Sequence, residues 1–458
     1  MANMKAAIPK GTRDFNPKQM GRRNYIFDTL KKVFKKYGYQ EIQTPTMENL
    51  DTLTGKYGDE GDQLIFKVLN SGDYLAKVGT ALADLKSQAL SPKIAEKALR
   101  YDLTVPFARY VVMHQNEISL PFKRFQIQPV WRADRPQRGR YREFYQCDVD
   151  VVGSASLLNE AEFICIYDEA LSNLGLTDFS IKINNRKILT GISDVLGKPE
   201  SIIDLTVAID KLDKIGFDGV QTELLSKGFN TSDIEQLKPI ILLSGNNASK
   251  LESLKLILAT SPTGLQGINE IYTVLNYLTN FTLQNAKVEL DLSLARGLNY
   301  YTGCIFEVKT HQATMGSIGG GGRYDNLTEM FGQAGLTGVG ISFGADRIYD
   351  VLDELNLFSA SAEQSTQVLI CVLGQYEETY SLSVLNHLRK QNIAAELYPF
   401  GTKIKKQMQY ANDKNIPYAI IVGNEEMKTG KLTFKNMLTG QQQMMSAIEI
   451  EKHLLTQS

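Results

Sequence analysis

Two alternating segments joined by an arginine-rich loop constrain the fold of this chain more than any other feature of its sequence. Residues 124–132 (RFQIQPVWR) and 143–151 (EFYQCDVDV) have the pattern of β-strands, and the polar stretch ADRPQRGRY separates them. The spacing predicts a long β-hairpin. Because side chains alternate along a strand, Gln146, Asp148 and Asp150 should share one face, with apolar side chains on the other. An isolated hairpin would leave the polar face in water, but the rest of the chain argues against that.

The hairpin loop concentrates positive charge that the chain as a whole does not show. Over 458 residues the formal net charge is -1. Residues 123–142 contain a single acid, Asp134, beside seven bases: Lys123, Arg124, Arg132, Arg135, Arg138, Arg140 and Arg142. Guanidinium groups bind phosphate oxygens in pairs and stay charged near neutral pH, so the loop is predicted to clamp a polyphosphate. A solvated or RNA-facing loop is the alternative interpretation.

The segments before the hairpin combine helix, strand and turn signals. Apolar residues recur at helical spacing from residue 20 to residue 37, and Gly38 follows as a stop, which predicts a first helix. The residues YQEIQTP then predict a strand that ends at a proline. Residues 98–112 predict an extended segment carrying Asp102 and Thr104, followed by a helix that starts near the next proline.

Helical periodicity interrupts the strand pattern after the hairpin. Residues 186–280, with the turn clusters GFDG, SGNNAS and TSPTG, predict an inserted helical domain. Strand patterns return afterwards in KVELDLSLARGLNYYTGCIFEVKT, SIGGGGRYDNLTEMF and LTGVGISFGADRIYDVL. The sheet begun before the insertion therefore resumes after it. This organisation predicts an α+β core with a mainly antiparallel sheet.

A second domain is predicted at the C-terminal end. The polar, small-residue stretch at 356–365 has the composition of a linker. Beyond it, strand and helix patterns alternate over residues 366–458, beginning with QVLICVL and continuing through IAAELYP and YAIIVG. This alternation predicts a sheet covered by helices. Compact α/β units of this kind often serve as binding modules.

Cysteine and histidine usage excludes several classes of protein. Four scattered cysteines without a CxxC pair favour neither a disulfide framework nor a zinc site, and they fit a reducing compartment. The four histidines lack metal-ligand spacing, so no protein-bound metal is expected. The start of the chain lacks an apolar signal region, and no stretch has the ~18 apolar residues of a membrane span. We expect a cytoplasmic protein.

The run Gly319–Gly322 in GSIGGGGRYD is a weak signal by itself. It lacks the Gly-Lys-Ser/Thr ending of a P-loop and the spacing of a dinucleotide-binding turn. Glycines in such a run would allow either a tight turn with positive φ or a close approach of a ligand to the backbone.

Together these segments resemble the class II aminoacyl-tRNA synthetases. YGYQEIQTPTME is similar to motif 1 of that class, VWRADRPQRGRYREFYQCDVDVVG to motif 2, and GVGISFGADRIYDVL to motif 3. ARGLNYYTGCIFEV and SIGGGGRYDNL resemble the two signature segments of the histidyl-tRNA synthetase family. The resemblance runs from KGTRDF through the C-terminal domain. It implies a catalytic core in two parts, 1–185 and 281–355, around the inserted helical domain, with an anticodon-binding domain at 366–458.

The resemblance implies a histidine–tRNA ligase activity with ATP as a substrate. Arg132 and Arg296 would contact the α-phosphate and serve as the catalytic cations, and Arg140 would reach the outer phosphates. Arg347 and Phe144 would enclose the adenine in a cation-π and stacking sandwich. Magnesium would arrive with ATP, because it favours phosphate oxygens and water. No zinc is expected.

The same resemblance implies a binding site for L-histidine. Asp102, Thr104 and Gln146 would bind the amino-acid end, and Asp150 with Tyr301 the imidazole. The remaining contacts would come from Arg296, Tyr300 and the Gly319–Gly322 run. Polar groups left unpaired by a substrate without matching N–H groups would favour histidine.

Two positions depart from the common family pattern. Asn299 stands where an aspartate often precedes the tyrosine pair, and YDLT stands where many members have a Glu-Gly-Thr segment. Asp102 keeps the charge but is shorter by one methylene. The YDLTVPFARY form resembles eukaryotic-type members. The exact substrate contacts at these two places are therefore not determined by the resemblance.

Two alternative functions remain compatible with the general plan. One is the synthetase-like regulatory subunit of ATP phosphoribosyltransferase, which typically lacks the anticodon-binding domain and loses catalytic arginines. The other is a different class II synthetase, such as the prolyl or threonyl enzyme.

The expected partners are tRNA(His) and a second copy of the chain, since motif 1 elements form isologous dimers. The inserted domain would clasp the acceptor stem.

Overall fold

The computed structural model describes residues 5–55, 57–76, 78, 86–295, 300–359, 366–399 and 401–456. The chain divides into two compact units. The first comprises Met1–Asp14 and Tyr25–Leu357, and the second comprises Phe15–Asn24 and Phe358–Ser458. Two positions singled out by the sequence, Arg296 and Asn299, lie outside the described residues.

Most of the strands and helices predicted for the first unit are present in the predicted order, and the structure adds others, including a helix at Leu158–Asn173 and a strand at Phe179–Asn185. Its strands are β1 (Gln40–Glu41), β2 (Met47–Asn49), β3 (Lys67–Val68), β4 (Lys97–Leu99), β5 (Phe122–Trp131), β6 (Glu143–Val152), β7 (Phe179–Asn185), β8 (Ala286–Leu290), β9 (Cys304–Thr310), β10 (Gly319–Tyr324) and β11 (Gly338–Gly344). Its helices are α1 (Pro17–Lys36, which begins in the second unit), α2 (Leu50–Leu53), α3 (Gly58–Gln63), α4 (Ser87–Ile94), α5 (Thr104–Met113), α6 (Leu158–Asn173), α7 (Arg186–Val195), α8 (Ile202–Ile209), α9 (Leu212–Ser226), α10 (Thr231–Ile241), α11 (Asn247–Ile257), α12 (Pro262–Leu278) and α13 (Ala345–Glu354).

An eight-stranded sheet forms the centre of the first unit. Its strand order is β1-β5-β6-β11-β10-β9-β7-β8. The outermost pairs at the two ends, β1 with β5 and β7 with β8, are parallel, and the pairs between them are antiparallel. The predicted α+β core with a mainly antiparallel sheet is confirmed. Strands from before and after the helical segment pair in this one sheet, as expected.

The predicted hairpin forms the second and third strands of this sheet. Strands β5 and β6 pair in antiparallel register from Phe122 opposite Val152 to Trp131 opposite Glu143. Strand β11 covers the other edge of β6. Both faces of β6 are buried, because Asp148 and Asp150 are each 3% exposed and Val149 is fully buried. The polar face is thus enclosed and does not face water.

Helices α7 through α12 occupy the stretch between β7 and β8. Asn185 starts α7 as an N-cap, its side chain accepting a hydrogen bond from the backbone N–H of Lys187. Helices α7 and α12 pack very closely, since a methyl group at Gly191 would lie 2.5 Å from the Cα of Gly264. The assignment of residues 186–280 as a separate inserted domain stays a prediction.

The second unit has its own sheet and core. Its strands are β12 (Val368–Val372), β13 (Ala395–Leu397), β14 (Tyr418–Val422), β15 (Leu432–Asn436) and β16 (Gln442–Met445). Its further helices are α14 (Gln375–Lys390), α15 (Ile404–Asp413), α16 (Asn424–Thr429) and α17 (Ala447–Thr456). The order is β13-β12-β14-β15-β16. The three strands predicted from the alternation pair in parallel, and the antiparallel β15 and β16 were not identified from the sequence.

No helix within the described ranges is both long and apolar enough to cross a bilayer.

Candidate active site

Two adjoining cavities open over the central strands of the eight-stranded sheet. The large cavity has a volume of about 330 Å³ and lies between the β5–β6 loop, the start of β10 and the start of α13. The small cavity, of about 60 Å³, lies deeper and is lined mainly by polar side chains of β6 and the Tyr300–Tyr301 pair. The residues that line both cavities are Arg132, Gln146, Tyr301, Gly320 and Ser342. The two cavities therefore meet at these residues.

The glycine run forms one wall of both cavities. Gly319–Gly322 belong to β10, pair with β9 and β11, and none has a positive φ. The run is thus an extended strand and does not form the tight turn that the sequence also allowed. A methyl group at Gly322 would lie 2.9 Å from the Tyr301 ring, so any larger residue there would collide with the cavity wall. The close packing of neighbouring groups against the backbone of β10 explains why these positions are glycines.

Asp102 lies at the bottom of the small cavity, just before α5. It is 1% exposed, and its Oδ1 accepts hydrogen bonds from the Tyr57 hydroxyl at 2.9 Å and the Val105 N–H at 3.1 Å. Burial raises the pKa of Asp102, while the Val105 N–H, Arg132 and the Tyr57 hydroxyl counteract that rise. The position before the helix thus provides a buried, hydrogen-bonded carboxylate.

Asp150 is held by a buried ion pair. Its Oδ2 lies 2.8 Å from Nη2 of Arg124, whose side chain is fully buried, and its Oδ1 accepts from the Tyr324 hydroxyl at 2.6 Å. The Arg124 guanidinium also lies 4.1 Å above the Phe107 ring. Burial raises the pKa of Asp150, and Arg124 opposes the rise. The prediction that Arg124 belongs to a phosphate clamp is wrong, because the hairpin register places it opposite Asp150.

Asp148 lies between Gln146 and Asp150 on the enclosed face of β6. Burial raises the pKa of its carboxyl to about 7, with Arg124 opposing the rise and Asp150 adding to it. Within the described part of the chain, its Oδ1 is buried and has no hydrogen-bond partner. Asp148 therefore adds a third buried carboxyl to the small cavity.

Polar side chains complete the small cavity. Gln146 donates from Nε2 to the Ser342 hydroxyl at 3.3 Å. The Tyr300 hydroxyl lies 3.4 Å from Oδ2 of Asp102 and also hydrogen-bonds to the Thr104 side chain. The rings of Tyr300 and Tyr301 pack edge to face at 5.1 Å. Six of the side chains predicted to bind histidine therefore line this cavity together: Asp102, Thr104, Gln146, Asp150, Tyr300 and Tyr301.

Arg132 lies where the two cavities join. Its guanidinium is 4.2 Å above the Tyr101 ring and 5.3 Å from the Phe144 ring, and Nε donates to the Tyr101 carbonyl at 3.0 Å. These contacts hold the charge in place before any ligand arrives. An anion in either cavity would meet this same cation.

Arg347 projects into the large cavity from the first turn of α13. Nε donates to the Gly139 carbonyl at 2.9 Å, and Nη1 donates to the Ser317 carbonyl at 2.6 Å. The two carbonyls fix the plane of the guanidinium against the β5–β6 loop. Phe144 lines the same cavity.

The remaining bases of the loop divide into different roles. Arg140 lines the large cavity with a side chain that is 51% exposed, and its Nε pairs with Asp134 at 3.2 Å. Lys123 instead pairs with Glu162 at 2.7 Å, and Arg138 pairs with Glu354 at 2.5 Å. Only Arg132 and Arg140 of the seven predicted bases line the cavities. The clamp is therefore smaller than the sequence count indicated.

Several residues of the site were not predicted. The alternation of β6 placed Asp148 on the polar face but gave it no role, and Arg124 was expected in the phosphate clamp and not opposite Asp150. Tyr57, Tyr324 and Ser342 had no local signal, because each reaches the site through a contact distant in sequence.

The N-terminal segment was also missed as a support of the site. Arg13 forms an ion pair with Asp346 on α13, and its guanidinium lies 3.3 Å above the Tyr141 ring. The Asp346 carboxylate also accepts from the Tyr145 N–H at 3.0 Å. These contacts connect the β5–β6 loop with the helix that carries Arg347.

Among the described residues, no group of three or more His, Cys, Asp or Glu side chains could hold a metal ion. The two carboxylates of the large cavity are already paired, Asp134 with Arg140 and Asp346 with Arg13.

Comparisons with known proteins give a consistent result. The model of the family described as histidyl-tRNA synthetase matches residues 11–77 and 92–348, and the anticodon binding domain model matches residues 367–457. The chain is 58% identical over 447 residues to the histidine–tRNA ligase of Phocaeicola vulgatus, covering 97% of this chain and 98% of that one.

Solved structures of the same family have a similar fold. The crystal structure of histidyl-tRNA synthetase from Nostoc sp. PCC 7120 is similar over 100% of both chains, with a TM-score of 0.85 and 28% identity. An ATP phosphoribosyltransferase regulatory subunit/histidyl-tRNA synthetase from Bacillus halodurans shares the fold, with a TM-score of 0.70, 21% identity, and coverage of 90% of this chain and 97% of that chain.

Proposed function

The chain belongs to the histidyl-tRNA synthetase family, and on that premise we propose how its two cavities divide the reaction. Its activity is that of a histidine–tRNA ligase: ATP-dependent activation of L-histidine to histidyl-adenylate with release of pyrophosphate, then transfer to tRNA(His). The large cavity binds ATP and the small cavity binds histidine. The observation that carries this division is Arg132, which lines both cavities at their junction.

Activation brings two anions together, because the histidine carboxylate attacks the α-phosphorus of ATP. The Arg132 guanidinium, held by Tyr101, offsets this repulsion and stabilises the charge that develops on the α-phosphate oxygens. A preorganised cation in a partly dry site is worth several kcal/mol to the transition state. The attacking carboxylate is already ionised, so the step needs no general base. Arg296 keeps the same role by sequence resemblance alone.

The nucleotide end of the large cavity matches an adenine and its phosphates. Arg347, with its plane fixed by two backbone carbonyls, covers one face of the adenine, and Phe144 covers the other. Arg140 is exposed enough to leave Asp134 and follow the outer phosphates. Magnesium would enter with ATP, and phosphate oxygens and water would be its expected ligands, since the carboxylates of this cavity are paired with Arg140 and Arg13.

The two ends of histidine meet different side chains of the small cavity. Asp102, Thr104 and Gln146 receive the α-ammonium group. Asp150 and Tyr301 face the imidazole, with Tyr300 and the Gly319–Gly322 strand as walls. A buried carboxylate and phenol left unpaired by another amino acid would cost more than a lost methylene contact.

We further propose the partners that the comparisons leave open. The C-terminal domain, 366–458, reads the tRNA anticodon, and its excess of two positive charges is enough for recognition through base edges and stacking. The inserted domain contacts the acceptor stem. A homodimer forms through the motif 1 elements, and the protein works in the cytoplasm, where its four buried cysteines remain reduced.

The regulatory-subunit alternative is less well supported. It predicts loss of the anticodon-binding domain and of catalytic arginines. Residues 367–457 match an anticodon-binding model, and Arg132 occupies the cavity junction. Identity of 58% to a histidine–tRNA ligase over nearly the full chain also argues against another class II synthetase.

Amino-acid-dependent exchange of labelled pyrophosphate into ATP tests the assignment. We expect exchange with L-histidine and none above background with each other standard amino acid, followed by transfer of histidine to tRNA(His). Exchange that depends on another amino acid and not on histidine would reject it. Histidine binding without exchange would instead favour the regulatory subunit.

A second test uses the close contact between β11 and Asp150. A methyl group at Gly340 would lie 1.9 Å from Oδ1 of Asp150, which Arg124 and Tyr324 hold in place. We expect Gly340→Ala to displace this carboxylate and raise the KM for histidine about tenfold or more, with the KM for ATP little changed. Steady-state exchange kinetics measure both constants.

Val339→Ala is the control for this test. Val339 is fully buried on the opposite face of the same strand, so its truncation lowers stability without touching the carboxylate. An equal rise in the histidine KM of both variants would show that the effect of Gly340→Ala is only loss of stability.

A further inference from the structure

Three carboxylates line the small cavity, and they differ in what already binds them. Asp102 and Asp150 each have partners on both oxygens. Tyr57 and Val105 donate to Oδ1 of Asp102 while the Tyr300 hydroxyl approaches Oδ2. Tyr324 donates to Oδ1 of Asp150, and Arg124 pairs with its Oδ2 at 2.8 Å. Both oxygens of Asp102 therefore have hydroxyl or N–H groups beside them. Asp150 is hydrogen-bonded through Oδ1, and its Oδ2 has the Arg124 guanidinium as an ion-pair partner but no hydrogen bond within the described residues.

Asp148 is different. It is 3% exposed, its backbone lies opposite Ser342 in the register of β6 and β11, and its side chain lines the small cavity. The Ser342 hydroxyl hydrogen-bonds to its carboxylate. Oδ1, in contrast, is buried without a hydrogen-bond partner anywhere in the described ranges. A buried acceptor without a partner costs free energy that a ligand donor can recover.

We propose that Asp148 is a specificity-determining residue that accepts a hydrogen bond from an imidazole N–H of histidine through its Oδ1. This inference rests on the proposed function of the small cavity. It adds a residue to the imidazole site, beside Asp150 and Tyr301. Arg124 pairs with Asp150 at 2.8 Å, whereas the Oδ1 of Asp148 has no hydrogen-bond partner in the described residues and so stays open to a donor of the substrate.

The surroundings of Asp148 favour a substrate that brings a donor. The charged and titratable groups that face it are Arg124 on β5, Asp150 on β6, Asp102 before α5, Tyr167 on α6 and Tyr301 before β9. Burial and the neighbouring Asp150 raise the pKa of Asp148 to about 7. Ionisation of Asp148 therefore costs free energy when no ligand is bound. An N–H donor lowers that cost, whereas an aromatic ring without one leaves Oδ1 unpaired.

The test compares histidine with β-(2-thienyl)alanine, whose ring is of similar size and has no N–H. Pyrophosphate exchange gives kcat/KM for both amino acids with the wild type and with Asp148→Asn. We expect the variant to lose about tenfold or more of its kcat/KM for histidine and little for the thienyl analogue, so that the preference for histidine falls by that factor. The KM for ATP should stay the same.

Asp178→Asn is the matched control, because Asp178 pairs with Lys287 at 2.9 Å on the surface. An unchanged preference in Asp148→Asn, or an equal loss for both amino acids, would overturn the inference. If Asp148→Asn does not fold, Asp148→Ala replaces it, because alanine introduces no buried amide. The ratio of kcat/KM for histidine to that for the thienyl analogue is then compared in the same way. The wild-type arm separates the two hypotheses: without histidine-dependent exchange there, the proposed function itself fails.

Discussion

Replacement of Arg132 by glutamine should lower histidine-dependent pyrophosphate exchange by about 10²- to 10³-fold in kcat, the cost of removing one preorganised charge from a transition state. Arg132 is the cation at the junction of the two cavities. Its guanidinium lies 4.2 Å above the Tyr101 ring and donates to the Tyr101 carbonyl, so it is in position before the substrates bind. Glutamine keeps some hydrogen bonding and removes the charge.

Single-turnover formation of the adenylate measures this effect directly. Arg138→Gln is the control, because Arg138 belongs to the same loop but its side chain is 66% exposed and pairs with Glu354. We expect that variant to retain nearly full exchange. A loss confined to the KM for ATP in Arg132→Gln would contradict the assigned role, because it would mean that the residue only binds the ground state.

Replacement of Arg124 by leucine should lower the free energy of unfolding of the first unit by about 3–5 kcal/mol, the usual cost of removing one partner from a buried ion pair. The Arg124 side chain is fully buried, and its loss removes the ion-pair partner of Asp150 and the cation that opposes the raised pKa of Asp148. Histidine-dependent exchange should fall with it, since both carboxylates line the small cavity.

The destabilisation should depend on pH. The pKa values of Asp148 and Asp150 are already raised by burial, that of Asp148 to about 7, and loss of Arg124 raises both further. A carboxyl whose pKa is higher in the folded than in the unfolded state contributes stability below the unfolded pKa and loses it as the pH rises through the folded pKa. The free energy of unfolding of the variant should therefore be lowest, relative to wild type, above about pH 8 and most similar to wild type near pH 5.

Trp131 makes the measurement specific to this unit. It is the only tryptophan of the chain and ends strand β5, so its fluorescence in urea follows unfolding around the site. The double variant Arg124→Leu with Asp150→Asn should recover part of the lost free energy, because it removes the unpaired charge. A pH-independent loss, or no recovery in the double variant, would show that packing of the arginine stem and not its charge is responsible.

The alternation of residues 143–151 predicted both the strand and the face that carries the site. Gln146 and Asp150 could be assigned to one face because period-two alternation is a local property that the main-chain geometry enforces, whereas their substrate contacts were implied only by the family resemblance. The same rule applied to Asp148, yet the family resemblance did not assign it a role. The glycine run was ambiguous from sequence, since an extended strand with close approach and a tight turn both favour glycine.

Charge counting was the least reliable guide. Seven bases within residues 123–142 predicted one phosphate clamp, whereas the fold divides them among the cavity, surface ion pairs and a buried pair. A side chain on a strand near a loop can face the loop or the sheet interior. For Arg124 the hairpin register decides, because it places the residue opposite Asp150.

The sequence by itself determined the α+β class, the family and about half of the side chains that line the two cavities, because periodicity and motif spacing are properties of neighbouring residues. Tertiary structure decided which carboxylate is paired and which is left open. Tyr324 reaches Asp150 across 174 positions of the chain and Tyr57 reaches Asp102 across 45, and such contacts have no local signature. They form only when separate strands and loops pack around one buried space. There, each buried polar atom is hydrogen-bonded either within the protein or to a bound ligand.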